Sequence, residues 1–515
     1  MKASLSVDLH KLAKFVNLSL PVLSVLFFFA GLHLSFYFHF ATVTFLLLTV
    51  INLFYLRVQR SHALLGNFGI IGQARYMMES IGPELRQYFF ANDTEERPFN
   101  RNERAEVYRK AKNVDSAASF GSQQNFDEFE LKLRHTMFPV AKSELQPFSL
   151  TLGEERGIAN AYTLSSPFMI SAMSYGALGE KAVRSLSRGA KKTGILMNTG
   201  EGGYPKYHLE EGGNLIFQIG TAKFGVRTPE GHLDEAKLKE VCAKDQIKMI
   251  EIKLSQGAKP GKGGMLPKEK ITQEISELRG VPLGKDVISP PSHVECTSPE
   301  ATVEFIKRIQ EISQLPVGIK LCLGRPEEFE ELVEAMIRRQ SFPDWITVDG
   351  SEGGTGAAPK AFLDSVGIPI YPALKIVGDI LKKHNVRDRL KVFAGGKLIS
   401  PARQIMAFCL GADAIYTARD FMLALGCIQA LECGNNTCPV GITTHDPSLQ
   451  RGLDIEQKAN RVCNYVHALE HDLRELLSAT GCRSVREFNE EHLFIPKGTI
   501  LSSLYTKNTL APVSS

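Results

Sequence analysis

The first pattern in the chain is a long apolar run near its N-terminus. Residues Phe15–Leu56 include no Lys, Arg, Asp or Glu, and the run is close to twice the ~20 residues that one membrane-spanning helix needs. It predicts two transmembrane helices, near Phe15–His33 and Phe40–Leu56, joined by a tight turn at Leu34–His39. A signal peptide would have a shorter apolar region and a small-residue cleavage site. A buried core hairpin is the other alternative, and the length of the uncharged run disfavours it.

Positive residues flank this run on both sides. Lys2, Lys11 and Lys14 precede it, and Arg57 and Arg60 follow it. Because such residues favour the cytoplasmic side of a membrane, we expect both ends of the pair in the cytoplasm. Residues 1–57 are therefore predicted to anchor a cytoplasmic body in the membrane, with both termini cytoplasmic.

The segment 58–164 is polar, and its pattern is weaker. Gly82–Phe89 reads as the start of a helix with Pro83 in the first turn, where proline is favoured. Asn92–Arg104 is charged and contains Pro98, which predicts a loop. We interpret 58–164 as a cytosolic extension that precedes the main domain.

From residue 165 onward, short apolar or β-branched runs alternate with Gly-rich or polar residues and then helical patterns. Eight runs predict strands: Phe168–Ala172, Ile195–Asn198, Leu215–Ile219, Lys248–Lys253, Val317–Cys322, Trp345–Asp349, Lys391–Gly395 and Asp413–Thr417. This alternation is typical of an α/β fold, the (β/α)8 TIM barrel, whose active site lies on the loops after the strands. A doubly wound open sheet would require G-x-G-x-x-G after its first strand, and the sequence lacks it. We assign 165–485 to the barrel and 486–515 to a C-terminal tail.

The predicted strand ends carry residues suited to binding a cofactor. The candidates are Met173, Ser174, Asn198, Thr199, Lys320, Gly353, Gly354, Gly395, Gly396 and Arg419. Gly-rich loops after the last two strands of such barrels commonly bind phosphate through backbone N–H groups. A phosphate-bearing redox cofactor is therefore expected, and FMN fits best. Lys320 would stabilise the negative charge of the reduced flavin ring, although an ion pair inside the barrel is an alternative for this residue.

Composition and charge narrow the class of protein further. The chain has 515 residues and a formal charge of +4, which gives no indication of nucleic-acid binding. Its cysteines are odd in number, 9 in all, and most are dispersed. This usage indicates a reducing compartment rather than a disulfide framework.

Three of the cysteines are concentrated in one loop. Cys427, Cys433 and Cys438 follow the last predicted strand with the spacing C-x5-C-x4-C, next to Pro439-Val440-Gly441. Thiolates held close together on a glycine-bearing loop are the ligands of iron–sulfur clusters, and three ligands favour a [3Fe-4S] type. Buried apolar cysteines remain an alternative. So does a zinc site, for which His445 would be the nearest fourth ligand.

Several motifs, taken together, resemble the FMN-binding synthase domain of glutamate synthase. They are Ala172-Met173-Ser174-Tyr175-Gly176, Asn198-Thr199-Gly200-Glu201-Gly202-Gly203, Gln256-Gly257-Ala258-Lys259-Pro260-Gly261, Ile288-Ser289-Pro290-Pro291, Gly353-Gly354-Thr355-Gly356 and the cysteine loop through Gly441. They occur in the family's order between about 165 and 485. The whole chain, with its apolar hairpin, resembles the stand-alone bacterial glutamate synthase-like proteins.

The resemblance implies a cofactor set and a reaction. It implies FMN and a [3Fe-4S] cluster in an oxidoreductase of the class acting on CH-NH2 donors, which reductively aminates 2-oxoglutarate to L-glutamate. Electrons would enter through the cluster and reach the imine carbon from the flavin. Gln256 and Lys259 match family positions near the substrate carboxylates, and Glu201 is the candidate for proton handling, a solvated loop acid being the alternative reading.

The sequence also departs from the family pattern. No cysteine precedes Cys242, so the glutaminase nucleophile of glutamate synthase is not present in this sequence, and ammonia is the expected amine. Lys223 stands where the family has Arg, which keeps the charge but loses the bidentate fork. Lys262 and Glu352 also depart from the family, and all three changes fall in the expected substrate region.

Two further expectations concern the electron donor and the identity of the substrate. No NAD-binding motif is apparent, so ferredoxin or a separate reductase is the expected electron donor. The same cofactors could instead act on a different oxo-acid or amine. A membrane electron-transfer protein without synthase activity is a further alternative, although such a carrier would not need Gln256, Lys259 and Glu201.

Overall fold

The computed structural model describes residues 9–114, 117–126 and 131–508. The chain divides into two compact units, Met1–Arg101 and Asn102–Ser515. The predicted boundaries at 57 and 164 fall inside these units, and they stay predictions.

The first unit contains the two apolar helices that the sequence predicts. They span Leu9–His33 and Phe38–Leu53, and Phe27 of the first stacks on Phe45 of the second with ring centroids 5.4 Å apart. Both are long and apolar enough to cross a membrane, with mean hydropathies of 2.1 and 1.8 over the candidate spans. The prediction of two apolar helices is confirmed.

The segment after the hairpin continues with further helices. Helices Ala63–Phe68 and Gln73–Leu85 are followed by a π-helical turn at Arg86–Phe90. The prediction that a helix begins near Gly82 is wrong, because Pro83 lies in the last turn of a helix that begins at Gln73. The apolar positions before Gly82 recur with a helical period. That period predicts the longer helix, whereas Pro83 by itself suggests a helix start.

The second unit is built around a closed barrel of eight parallel strands. They are β1 (Phe168–Ile170), β2 (Met197–Asn198), β3 (Leu215–Ile219), β4 (Ile247–Lys253), β5 (Val317–Leu321), β6 (Trp345–Asp349), β7 (Lys391–Gly395) and β8 (Ala414–Thr417). Each strand pairs with the next in the chain, and β8 pairs with β1. The predicted (β/α)8 barrel is confirmed, with strand ends within two residues of those expected.

One end of the barrel is closed by apolar packing. The strands Leu150–Leu152 and Tyr162–Leu164 form an antiparallel pair, and its buried leucines pack in one core with Trp345, Phe393 and Tyr416. Trp345 begins its strand, and Arg156, from the segment between the paired strands, contacts Asp344 directly before it, so the pair covers the N-terminal end of the barrel. The polar loops at the opposite, C-terminal ends are thus left for chemistry, as this fold requires.

A polar layer crosses the interior between these two ends. Glu251 of β4 is fully buried. Its carboxylate accepts hydrogen bonds of 2.8 Å from Asn198, Gln218 and Thr347. A buried charge is tolerated when donors surround it in this way, so the layer fixes the relative positions of four strands.

Helices surround the barrel. From Arg101 onward they span Arg101–Ala111, Glu180–Thr193, Lys206–Glu210, Glu235–Cys242, Gln273–Arg279, Pro299–Ser313, Pro326–Arg339, Lys360–Ser365, Ile370–Lys383, Pro401–Cys409, Arg419–Leu425, Pro447–Gln450, Ile455–Thr480 and Ile500–Asn508. The long helix Ile455–Thr480 packs closely on Glu180–Thr193, since a Cβ at Gly189 would lie 2.5 Å from Val462. Two short antiparallel pairs, Lys132–Leu133 with Leu493–Phe494 and Met265–Leu266 with Val287–Ile288, complete the unit.

Candidate active site

A carboxylate among cations occupies the C-terminal mouth of the barrel. Glu201, in the loop after β2, lies 2.8 Å from the Nζ atom of Lys253 at the end of β4. Its side chain is 19% exposed, so the solvated-acid reading does not hold. Burial opposes the charge, but Lys253, Arg279 and Lys259 outweigh burial and hold the pKa of Glu201 below its ordinary value. The group is therefore an ionised carboxylate at neutral pH.

Lys259 and Gln256 lie in the loop after β4. The Nζ atom of Lys259 donates to the carbonyl oxygen of Ala357 at 2.7 Å. Burial, together with the neighbouring Lys253, lowers the pKa of Lys259 to about 8. The amide of Gln256 donates to the hydroxyl of Thr355 at 3.4 Å. Both residues thus connect the β4 loop to the loop after β6.

Arg279 completes the group, at the end of helix Gln273–Arg279. One amino group donates to the carbonyl oxygen of Tyr175 at 2.9 Å, and the guanidinium lies over the ring of Phe224 at 5.3 Å. Its Nε atom is buried without a hydrogen-bond partner. Burial lowers the pKa of Arg279 to about 10, opposed by Glu201. A buried guanidinium with an unused donor is suited to an anionic ligand.

Lys223 lies in the loop after β3, with an ion pair of its own. Its Nζ atom is 2.9 Å from Glu295, and the lysine side chain is 1% exposed. His293 is a neighbour; burial, with a further contribution from Lys223, lowers the pKa of its imidazole to about 4. The pairing with Glu295 means that Lys223 brings no uncompensated charge to the mouth.

Lys320 points into the barrel from β5. Its Nζ atom is 3.4 Å from Asp349, the last residue of β6. Burial alone would lower the pKa of Lys320, but Asp349 and Glu251 outweigh it and raise the pKa. The residue is therefore a firmly charged cation. Asp349 also accepts a hydrogen bond from the backbone N–H of Gly257 at 2.9 Å, so this pair joins β5 and β6 to the loop after β4.

The glycines at and after the ends of β6 and β7 form a cradle with little room for a side chain. A Cβ at Gly354 would lie 2.7 Å from Arg419, and one at Gly395 would lie 3.1 Å from Asp349. Gly396 has a φ of +118°, which favours glycine. Backbone atoms therefore line this part of the mouth beside a buried lysine and Arg419. This donor set fits the phosphate and ring of FMN.

The loops after β1 and β2 are held against each other. Asn198 accepts a hydrogen bond from the N–H of Gly200 at 2.9 Å, and Thr199 accepts one from the N–H of Gln218 at 3.1 Å. A Cβ at Gly200 would lie 2.6 Å from the backbone nitrogen of Ser174. The carbonyl oxygen of Met173 lies 3.2 Å from the imidazole of His208. These residues form one wall of the mouth.

The two other departures from the family pattern have structural partners. Glu352 accepts hydrogen bonds from the N–H of Ile370 at 3.0 and 3.2 Å, at the start of helix Ile370–Lys383, and Arg419 donates to the Glu352 carbonyl oxygen at 2.6 Å. Burial raises the pKa of the Glu352 carboxyl. Lys262 lies over the ring of Phe362 at 5.8 Å. The Glu352 carboxylate is therefore engaged in hydrogen bonds at the N-terminus of helix Ile370–Lys383.

The three-cysteine loop follows β8 and the short helix Arg419–Leu425. Burial raises the pKa of Cys427 and of Cys433. For Cys438, burial is outweighed by Thr443 and by backbone N–H groups, which lower the pKa of the thiol. Cys427 interacts electrostatically with Cys433 and Cys438, and Cys433 with Cys438, so the three thiols lie near one another. This donor set fits an iron–sulfur cluster.

Two elements distant in sequence support the cysteine loop. The hydroxyl of Tyr108 donates to the Cys427 carbonyl oxygen at 2.5 Å, and Arg104 donates to that of Ile428 at 3.3 Å. Lys270, which is 1% exposed, donates to the carbonyl oxygen of Cys433 at 3.1 Å. Helix Arg101–Ala111 thus belongs to the site, although the sequence placed it outside the main domain.

The position of His445 bears on the zinc alternative. Among the described residues, the one group of three His, Cys, Asp or Glu with ligand atoms all within 4.8 Å is Glu330, Glu334 and His384. Sulfurs around a tetrahedral zinc ion would be about 4 Å apart. The Nε2 atom of His445 is 2.9 Å from the carbonyl oxygen of Gly176, to which it can only donate. A metal-ligating histidine commonly donates its other ring N–H to a carbonyl oxygen in this way, so Nδ1 of His445 keeps the zinc alternative open beside the iron–sulfur cluster.

Sequence reasoning missed Lys253 and Arg279. Lys253 ends a barrel strand, so the strand-end rule that selected the other residues could have found it. Arg279 has no such local signal, because it ends a helix distant in sequence from Glu201. Only the fold shows that the two residues share one mouth.

Comparison with known proteins identifies the family. Residues 104–483 match the model described as "Conserved region in glutamate synthase". The chain belongs to the glutamate synthase family. The match begins in helix Arg101–Ala111, whose Arg104 and Tyr108 contact the cysteine loop.

Individual relatives extend this result. The chain is 40% identical to "Glutamate synthase large subunit-like protein YerD" of Bacillus subtilis (strain 168), over 86% of this chain and 92% of the relative. It is 38% identical to "Archaeal glutamate synthase [NADPH]" of Methanocaldococcus jannaschii, over 64% of this chain and 61% of that protein. The structure also resembles a flavocytochrome b2 variant with sulfite bound, with a TM-score of 0.45 and 16% identity. The match covers 85% of this chain and 92% of that chain. The fold assignment rests on the closed barrel itself.

Proposed function

We propose that this member of the family is an oxidoreductase that reductively aminates 2-oxoglutarate with ammonia to L-glutamate. The observation that carries the proposal is the charge balance at the mouth. One carboxylate, Glu201, lies among the three cations Lys253, Lys259 and Arg279. The group has an excess of two positive charges when all three cations are protonated. That excess matches a substrate with two carboxylates and favours an enzyme over a simple electron carrier.

FMN is the proposed cofactor. Gly353, Gly354, Gly395 and Gly396 would approach its phosphate and ring through backbone atoms, with Met173, Ser174, Asn198, Thr199 and Arg419 around them. Lys320, kept charged by Asp349, would lie where it stabilises negative charge on the ring. When bound, FMN supplies the electron pair that reduces the imine carbon.

A [3Fe-4S] cluster is the proposed entry point for electrons. Cys427, Cys433 and Cys438 would be its ligands, on a loop supported by Tyr108, Arg104 and Lys270. When bound, the cluster supplies single electrons to the flavin. Ferredoxin or a separate reductase would deliver them, because no NAD-binding motif is apparent in the chain.

The side chains at the mouth would have separate roles in substrate binding and proton transfer. Arg279 and Lys259 would bind the two carboxylates of the substrate, assisted by Gln256. Glu201 is ionised because of its cationic neighbours, so it would accept a proton as ammonia adds to the oxo carbon. Lys223, held by Glu295, would contribute to the outer part of the site.

The membrane is the proposed location. The two apolar helices would cross it as a hairpin, and positive residues before and after them would keep both termini and the catalytic unit in the cytoplasm.

A different oxo-acid or amine is the second candidate. It is favoured by Lys223, which stands where the family has Arg and pairs with Glu295. A lysine there lacks the bidentate geometry with which arginine selects a carboxylate.

Reoxidation of the reduced flavin tests both candidates. Purified full-length protein would be reduced with dithionite under anaerobic conditions and mixed with 2-oxoglutarate, with ammonium, or with both. We expect rapid reoxidation with both together and with neither alone, accompanied by glutamate. Faster reaction with another oxo-acid would favour the second candidate. The proposal would be overturned if no combination of an oxo-acid and an amine reoxidised the flavin.

A further inference from the structure

The chain after the apolar hairpin carries an exposed apolar stripe. Met77 and Met78 are 56% and 52% exposed, and Phe89 and Phe90 are 76% and 77% exposed. Ile81 and Tyr88 are exposed as well. These residues belong to helix Gln73–Leu85 and the π-helical turn that continues it.

The positions of these residues describe one face of a helix. Ala74, Met77, Met78, Ile81 and Leu85 recur with spacings of three and four, so they lie on one side of the helix axis. Arg75 and Glu79 lie on the other side, where they form an exposed ion pair at 2.8 Å, and Glu84 borders the apolar side next to Met77. The segment is amphipathic, with its apolar side uncovered.

Contacts within the first unit fix where this segment begins. The N–H of Ile70 donates to the side-chain oxygen of Asn52 at 2.7 Å, and Gln73 donates to the Tyr55 hydroxyl at 2.8 Å. Asn52 lies in the last turn of the second apolar helix, and Tyr55 lies two residues before Arg57 in the π-helical turn Phe54–Val58 that continues it. The segment therefore starts at the level where the hairpin passes from apolar to charged residues, which is the headgroup level of a bilayer.

We infer that residues 73–90 lie in the plane of the membrane surface, with Met77, Met78, Ile81 and Phe89 inserted at the boundary between headgroups and acyl chains. The inference rests on the proposed membrane location of the hairpin. The occupant of the apolar face is the lipid bilayer, because the stripe is continuous with helices whose side chains are themselves exposed and apolar. Amphipathic helices with aromatic residues bind at this depth.

Tryptophan reporters test the inference, since the chain has a single Trp, Trp345, which is fully buried in the barrel. Full-length variants Phe89→Trp, Glu79→Trp and Leu46→Trp would be reconstituted into vesicles of phosphatidylcholine and phosphatidylglycerol. Brominated lipids would then report depth, with bromine placed either near the headgroup or near the methyl end. Glu79→Trp is the matched control on the polar side of the same helix.

We expect Phe89→Trp to lose most fluorescence with bromine near the headgroup, and Leu46→Trp to lose most with bromine near the methyl end. Glu79→Trp should add a solvent-exposed tryptophan fluorescence that neither brominated lipid quenches. Its fluorescence should otherwise match that of the unsubstituted protein. Quenching of Leu46→Trp without quenching of Phe89→Trp would overturn the inference while leaving the transmembrane hairpin intact. Absence of quenching at both positions would overturn the hairpin and the inference together.

Discussion

The carboxylate of Glu201 and the ammonium of Lys253 lie 2.8 Å apart across the mouth of the barrel. One follows the second strand and the other ends the fourth, so the closed barrel brings together groups that are distant in sequence. The pair keeps Glu201 ionised in a largely buried position. The first prediction follows from that charge.

Glu201→Gln should reduce the rate of reoxidation of the reduced flavin by 2-oxoglutarate and ammonium about 10²–10⁴-fold, because the amide cannot accept a proton. FMN content should be unchanged, since Glu201 is not among the residues that line the cradle. Stopped-flow absorbance of the flavin measures the rate. Glu240→Gln, on the exposed side of helix Glu235–Cys242, is the control and should react at the original rate. An unimpaired Glu201→Gln variant would refute the proton-transfer role.

Lys259 should make substrate binding depend on pH. Its pKa is lowered to about 8 by burial and Lys253, so the side chain is protonated below that pH and loses its charge above it. The KM for 2-oxoglutarate should therefore be lowest below pH 8 and rise about tenfold per pH unit well above it. In Lys259→Arg, which stays charged, the KM should not rise in this range. The comparison requires steady-state kinetics from about pH 6.5 to 9.5, and identical profiles for the two proteins would contradict the assignment.

Two arginines that share one aromatic ring allow a matched test of carboxylate binding. Arg279 and Arg227 lie over Phe224 at 5.3 and 4.9 Å, but Arg227 donates to the backbone oxygens of Arg279 and Gly280. Arg279→Lys should raise the KM for 2-oxoglutarate by about 10-fold or more, since the bidentate contact is lost. Arg227→Lys should leave it nearly unchanged. Equal effects would mean that Arg279 only supports the fold.

Cys433→Ser tests the metal site separately from the flavin. The variant should lose bound iron and acid-labile sulfide while keeping FMN, because the cradle and the cysteine loop are built from different residues. Cys463→Ser, on helix Ile455–Thr480, should retain both. Iron and sulfide would be assayed per flavin on anaerobically purified protein. Retention of a full complement of iron by Cys433→Ser would exclude this cysteine as a ligand.

Lys270→Met should shift the midpoint potential of the cluster to more negative values, by about tens of millivolts. The buried ammonium lies beside Cys433, and a positive charge in a low-dielectric site stabilises the reduced state. Lys268→Met is the control, because Lys268 is exposed. Potentiometric titration followed by electron paramagnetic resonance measures the potential without relying on turnover. An unchanged potential would restrict Lys270 to its contacts with backbone carbonyls.

The sequence by itself determined the barrel and the apolar hairpin. Each depends on local periodicity: buried parallel strands give short apolar runs, and a charge-free run gives apolar helices. It also predicted the cysteine loop and candidate residues at the strand ends as a site, because strand ends converge in this fold.

The tertiary structure alone decided which of those residues lie together. Arg279 ends a helix and Arg104 lies before the barrel, yet one reaches Glu201 and the other the cysteine loop. It also separated Lys223, which pairs with Glu295, from the cations around Glu201. Packing of distant segments sets such contacts, and no local pattern in the chain records which buried charges will share a partner.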